Sequence, residues 1–163
     1  MLKLTVSLIA LTAGLALGPV LHAAGTDSGP PNARPADADY DKGKKALEDK
    51  NWTLAIESFG KVASRDPRDA DAQNYLGFAW RKAGNLDRAF KHYNEALRID
   101  SGHQGAHEYI GEAYLMVNNV AKAEEHLARL DRLCLFSCEE YRDLKKAIEA
   151  YKAAHQGTGK SRS

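Results

Sequence analysis

Residues 134–138 read Cys-Leu-Phe-Ser-Cys and contain both cysteines of the chain. Three outcomes are open to such a pair: a disulfide, two inert thiols, or a redox or metal centre. In an oxidising compartment the two would join. Residues four apart in an unbroken helix do not bridge easily. Phe136-Ser137, however, reads as a helix boundary, where a turn can bring the sulfurs together. A bridge closing so short a loop restrains the unfolded chain little, and would chiefly fix how the following helix departs. Thiol-exchange centres usually place Cys-x-x-Cys at a helix start after a strand. Here the spacing is one residue longer and no strand pattern precedes it.

His103 and His107 are four apart and could bind a metal from one helical face. No acidic or cysteine partner stands at a convincing distance, so no metal site is assigned. Glu124-Glu125 and Glu139-Glu140 have no nucleophile or base placed beside them by any motif and read as solvated helix surface. The chain has no P-loop, no Gly-x-Ser-x-Gly and no His-Glu-x-x-His. These residues point away from an enzyme and imply no cofactor. The formal charge is +1. That balance gives no electrostatic grip on nucleic acid or an anionic membrane.

The elements that must position these residues centre on residues 69–103. Two amphipathic segments lie here, split by Ala83-Gly84-Asn85. Leu76, Gly77 and Trp80 fall at helical spacing in the first, and Ala89, Tyr93 and Ala96 in the second. Small residues at Gly77, Ala89 and Ala96 let two helices approach, while Leu76, Trp80, Phe90 and Tyr93 fill the space between them. The pattern recurs. A step of 34 residues carries Leu76, Gly77, Trp80, Ala89 and Tyr93 to Ile110, Gly111, Tyr114, Ala123 and Leu127. The reverse step reaches Lys42, Gly43, Ala46, Ala55 and Phe59.

A 34-residue period of paired helices resembles the tetratricopeptide repeat family across three units. Gly43, Gly77 and Gly111 match the family's small residue in the first helix. Ala55, Ala89 and Ala123 match its alanine in the second. Pro67 is the closing proline of the first unit, whereas Ser101 and Leu135 stand there in the others. The resemblance implies an all-α fold: three tandem helix-turn-helix repeats stacked as a right-handed superhelix, plus a C-terminal capping helix. It also gives His107 a packing position between repeats, and makes His92 and His126 equivalent sites.

In chain order, residues 1–24 read as an export signal. Lys3 is followed by an uncharged apolar run from Leu4 to Leu17, a Gly18-Pro19 break and small residues for cleavage. The run is short for a membrane span, so no stable insertion is expected after cleavage. The brief signal looks bacterial and predicts a periplasmic or secreted protein. Residues 25–36 read as a flexible leader. The repeats follow at 36–69, 70–103 and 104–137, the capping helix at 138–155 and a loose tail at 156–163. Asn51 and Asn85 are candidate N-caps. Ser101 with Gln104 has capping-box spacing, which starts the third repeat near Gly102, and Ser137 with Glu140 has the same spacing. The second helix of the third repeat is expected to bury Ala123, Leu127 and Leu130. The last helix carries a stripe of Tyr141, Leu144, Ile148 and Tyr151.

Within this family, first helices line the concave side and partner peptides lie there. The resemblance then gives Asp37, Tyr40, Lys44, Leu47 and Glu48 as inward positions of the first repeat. The second supplies Asp71, Asn74, Phe78, Arg81 and Lys82, and the third Gly105, Glu108, Glu112, Leu115 and Met116. Arg81 and Lys82 make the middle positive, Glu108 and Glu112 make the far end acidic, and Phe78, Leu115 and Met116 offer apolar contact. One subgroup of the family grips the C-terminal carboxylate of chaperones with Lys, Asn and Arg. The matching positions here are Tyr40, Lys44, Tyr75, Gly105 and Tyr109, and none carries the required residue. The expected function is a non-catalytic scaffold or adaptor for a protein or peptide partner in the cell envelope. The alternative is a thiol-redox or metal-handling accessory acting through Cys134 and Cys138. Self-association is a third possibility.

Overall fold

The structure is a computed structural model that describes residues 36–155. The expected signal, all of the leader but Ala36, and the tail lie outside the described residues. Among those residues the helices run α1 Ala38–Glu48, α2 Trp52–Arg65, α3 Ala70–Lys82, α4 Leu86–Ile99, α5 Gln104–Met116, α6 Val120–Leu133 and α7 Glu139–His155. They pair as α1/α2, α3/α4 and α5/α6, and α7 packs on both α5 and α6.

The helix boundaries repeat as faithfully as the core. Lys50, Gly84 and Asn118 all have positive φ, near 55°, 84° and 57°. Each stands one residue before an asparagine, Asn51, Asn85 or Asn119, whose side chain caps the next helix. The backbone N–H groups of these asparagines donate back to Ala46, Trp80 and Tyr114. A left-handed residue therefore closes each first helix and hands the chain directly to the cap of the second. Only the middle repeat uses glycine there. Lys50 and Asn118 accept the conformation at a cost of about 1 kcal/mol each.

Small residues set the distance between helices. A Cβ at Gly43 would lie 2.8 Å from the Phe59 ring, and one at Gly77 2.5 Å from the Tyr93 ring. Both rings are fully buried. The third repeat departs from the expected pattern. Gly111 faces Leu144 of α7, whose side chain would be 2.6 Å from an added Cβ. Leu127 is only half-buried, contrary to its expected burial, because Leu144 takes the place over the glycine. Leu144 lies 34 residues beyond Ile110, so α7 enters as the first helix of a further unit and covers the end of the stack.

Two expected capping boxes are corrected. The cap of α5 is His103, whose imidazole Nδ1 accepts from the Ala106 N–H at 3.1 Å. Its Nε2 lies 3.1 Å from the Asp71 carboxylate, which ties the cap to the preceding repeat. Ser137 is not the cap of α7. Its φ is 58°, and the helix begins at Glu139 with the Cys138 carbonyl accepting from the Arg142 N–H. The left-handed residue redirects the chain, and the helix starts one position later than the spacing predicts.

Candidate functional site

Of the positions assigned to the concave wall, several are consumed by packing. Leu115 is 8% exposed and packs with Ala123, Leu130, Leu144 and Ile148, so it does not offer groove contact. The C-terminal helix covers it. Leu47 packs against the cluster of Ala46, Ala55, Phe59 and Leu76. Asp37 caps α1 and pairs with Arg65 at 2.7 Å. Tyr40 stands edge-on to Phe59 and Tyr75.

Arg81 is the main correction to the expected charge. Its side chain is 7% exposed. The guanidinium lies 2.6 Å from the Glu112 carboxylate and donates through Nε to the Tyr93 hydroxyl at 3.2 Å. Burial works against its charge, but Tyr93 and Glu112 outweigh it and hold the guanidinium above its ordinary range. The positive charge expected at the middle of the groove is thus spent inside the protein, joining α3, α4 and α5. Lys82 alone of the pair remains exposed, 5.2 Å from the Phe78 ring.

What stays available is a run of half-buried side chains that follows the repeat. Lys44 donates to the Tyr75 hydroxyl at 2.9 Å and lies over its ring. One repeat later, Phe78 meets Tyr109 with ring centroids 4.9 Å apart. One repeat later again, Glu112 stands at the position of Phe78, and Asp143 of α7 at that of Tyr109. The wall therefore changes from cation and aromatic, through aromatic pair, to carboxylates. Burial pushes the Tyr109 hydroxyl up to about 12, with Glu108 next among the causes. Met116 is half-exposed at the end of α5, and Glu48 is exposed at the end of α1.

Glu108 is half-buried on α5. Burial, then the carboxylates of Glu112, Asp143 and Glu140, push its pKa up to about 8, and Arg81 offsets this only weakly. Asn74 occupies the same register one repeat earlier and is 3% exposed, with its side-chain oxygen Oδ1 unpartnered. Periodicity marked both as inward-facing. It carried no sign that either lacks a donor.

Two histidine contacts join the paired helices within a repeat. His92 bonds Gln73 at 2.8 Å, and the equivalent pair one repeat on is His126 with His107 at 2.9 Å. The His107 Nε2 donates to the Ser101 carbonyl, so its Nδ1 accepts and the His126 Nδ1 donates. Cys134 and Cys138 are bonded at 2.04 Å between α6 and α7. Leu135 and Phe136 within that turn are almost wholly exposed.

These features define an α-helical repeat array whose first helices present a graded wall. Two tetratricopeptide repeat models match the chain, one over residues 40–104 and the other over residues 81–133. Together they span more than half of it, and the chain belongs to the tetratricopeptide repeat family. No curated protein sequence matches it. Among solved structures it is similar to the TPR2B domain of yeast Sti1 in complex with pHsp70, at 19% identity and a TM-score of 0.65, covering 71% of this chain and 94% of that one. The first TPR of Spaghetti (RPAP3) bound to the HSP90 peptide SRMEEVD matches at 20% identity and a TM-score of 0.61, covering 69% and 89%. PcrH in complex with the chaperone-binding region of PopD matches at 19% identity and a TM-score of 0.61, covering 71% and 90%. At these identities the likeness is one of fold.

Proposed function

We propose that this protein is a non-catalytic interaction scaffold that holds a segment of a partner protein against its concave wall. The observation that carries the reading is the Phe78–Tyr109 pair, half-exposed on neighbouring first helices with Lys82 beside it. Aromatic side chains on a rigid support give large contact area at little entropic cost. Arrays of the same fold hold peptides or protein segments in the Spaghetti and PcrH structures, which supports the reading. The apolar run of Leu4 to Leu17 supports export, and we place the scaffold in a bacterial envelope. Among the described residues no helix is long and apolar enough to cross a membrane.

A photo-crosslinking residue placed at Lys82, and separately at exposed Asn94 on α4, tests this in the producing cell. The expected result is a heterologous adduct at position 82 and none at 94, found in the envelope fraction, with a new N-terminus close to Gly25 by mass spectrometry. Adducts at both positions, at neither, or only with a second copy of the chain overturn the adaptor reading. An adduct on a cytoplasmic protein that keeps its first residues overturns the export reading alone.

A further inference from the structure

The turn between α6 and α7 presents two apolar side chains that no described residue covers. Leu135 and Phe136 are 89% and 96% exposed, the most exposed large apolar residues among those described. The backbone that carries them is held from both ends. Cys134 packs against the cluster of Leu115, Leu130 and Leu144, and its bond to Cys138 closes the turn. The Arg142 guanidinium donates to the Ser137 carbonyl at 3.0 Å. Leu135 and Phe136 are therefore fixed outward, at little further entropic cost to anything that covers them. Beside them lies a hollow of about 370 Å³, lined by the turn itself together with Gln104 and Leu133.

A projecting ring next to a hollow on one short turn is a self-complementary surface, because a two-fold axis brings each ring to the hollow of the other copy. The charges agree with such a pairing. Arg132, beside Asp131, is exposed on the last turn of α6, and Glu139 is exposed at the start of α7. Both signs thus rim the turn. Two-fold pairing sets the α6 flank of one copy opposite the α7 flank of the other, where Arg132 meets Glu139. A lipid surface favours a basic rim instead. The area sets the strength. Covering one Phe and one Leu removes roughly 300–400 Å² per copy. That is about half of what each partner gives to a standard interface, so the pair is expected to be weak and concentration-dependent.

We propose that two copies of this chain pair about a two-fold axis through the Cys134–Cys138 turn, with Phe136 of each copy entering the hollow beside the turn of the other and Arg132 facing Glu139 across the axis. None of these residues belongs to the Phe78–Tyr109 pair or to Lys82 beside it. The pair therefore keeps two separate grooves open. A partner carrying two suitable segments engages both at once and gains from their proximity.

The test is sedimentation equilibrium of the oxidised protein, purified from the producing cell, from about 5 to 500 µM. The mass is expected to rise from that of one copy toward that of two and no further. Phe136→Ser should weaken the pairing roughly a hundredfold, since a two-fold pair loses the ring twice. It should leave the melting temperature unchanged, because the ring is almost wholly exposed in the single copy. Arg132→Glu and Glu139→Arg are each expected to weaken the pair, and the two together to restore it. A photo-crosslinking residue at Leu135 should give an adduct of two copies in the cell. The mass of one copy at every concentration, growth beyond two copies, or a charge swap that restores nothing overturns the proposal. Heterologous adducts alone at position 135 would assign the turn to a foreign protein. Flotation with phosphatidylcholine vesicles, lost on Phe136→Ser while the mass stays that of one copy, would assign it to a lipid surface. Either result overturns the pairing. The adduct at position 82 is read separately, so loss of the pair leaves the groove reading standing.

Discussion

Arg81 and Glu108 are ionisable residues on the first helices of neighbouring repeats, and neighbouring side chains give them opposite roles. Arg81 finds Glu112 and Tyr93 and becomes part of the framework. Glu108 finds other carboxylates. The consequence appears in the pH dependence of stability. For Glu108, the folded pKa of about 8 exceeds its unfolded value. The native state therefore binds the extra proton between these two values, and the stability present below the unfolded value is lost as pH rises from there to about 8, with no further loss beyond it. The His126 imidazole has the opposite sense. Burial first, then the facing His107, lower it to about 4, while Glu125 opposes and Lys122 assists. Its unfolded form binds the proton more readily, so stability present above about pH 6.5 is lost as pH falls toward 4. Burial lowers His92 and His107 in the same direction. The melting temperature is expected to decline between about pH 6.5 and 8, whereas below about pH 6.5 the loss from the histidines is opposed by Glu108. Glu108→Gln should flatten the decline between about pH 6.5 and 8 and steepen the acid limb, where Glu108 no longer opposes the histidines. Melts of both proteins across this range check it, and an unchanged alkaline limb in the variant would refute the assignment.

Between helices, the decisive quantity is the space over each glycine. Gly60 in α2 has nothing within 4 Å of a Cβ, whereas Gly77 in α3 has the Tyr93 ring at 2.5 Å. Alanine is the better helix former in both places. Gly60→Ala should therefore stabilise by about 0.5–1 kcal/mol. Gly77→Ala has to displace a fully buried ring that is also hydrogen-bonded to Arg81, and should cost about 1–3 kcal/mol. Denaturant midpoints of the two variants must move in opposite directions if α3 and α4 pack as described.

At the scale of the whole molecule, α7 sets the end of the array. It supplies Leu144 over Gly111, covers Leu115 and Leu130, and adds the charges of Glu140 and Asp143 to the surroundings of Glu108. The Cys134–Cys138 bond at its entrance fixes where it leaves α6. Chain termination after Leu133 is expected to melt α5 and α6 as well, because stacked repeats draw stability from nearest neighbours. Circular dichroism should then fall by more than the 17 residues of α7 account for. A loss limited to those residues would mean that the third repeat stands without its cover.

The 34-residue recurrence of Gly43, Gly77 and Gly111 with Ala55, Ala89 and Ala123 was enough to establish paired helices and their order. Such contacts are local, and small residues at fixed spacing leave one way to stack. The asparagine caps were legible for the same reason, since a cap acts within three residues of itself. The fates of the wall residues were not legible. Register places Arg81, Leu115, Asn74 and Glu108 on one side of their helices, but their exposure and partners come from other helices. Arg81 is neutralised by a residue 31 positions away. Leu115 is hidden by a helix that starts more than 20 residues later. The Asn74 side-chain oxygen is buried without a partner, while its amide nitrogen lies beside Gly105 of the next repeat. Periodicity fixed which way each side chain points; only the packing of α5 and α7 decided which of them remain to meet a partner.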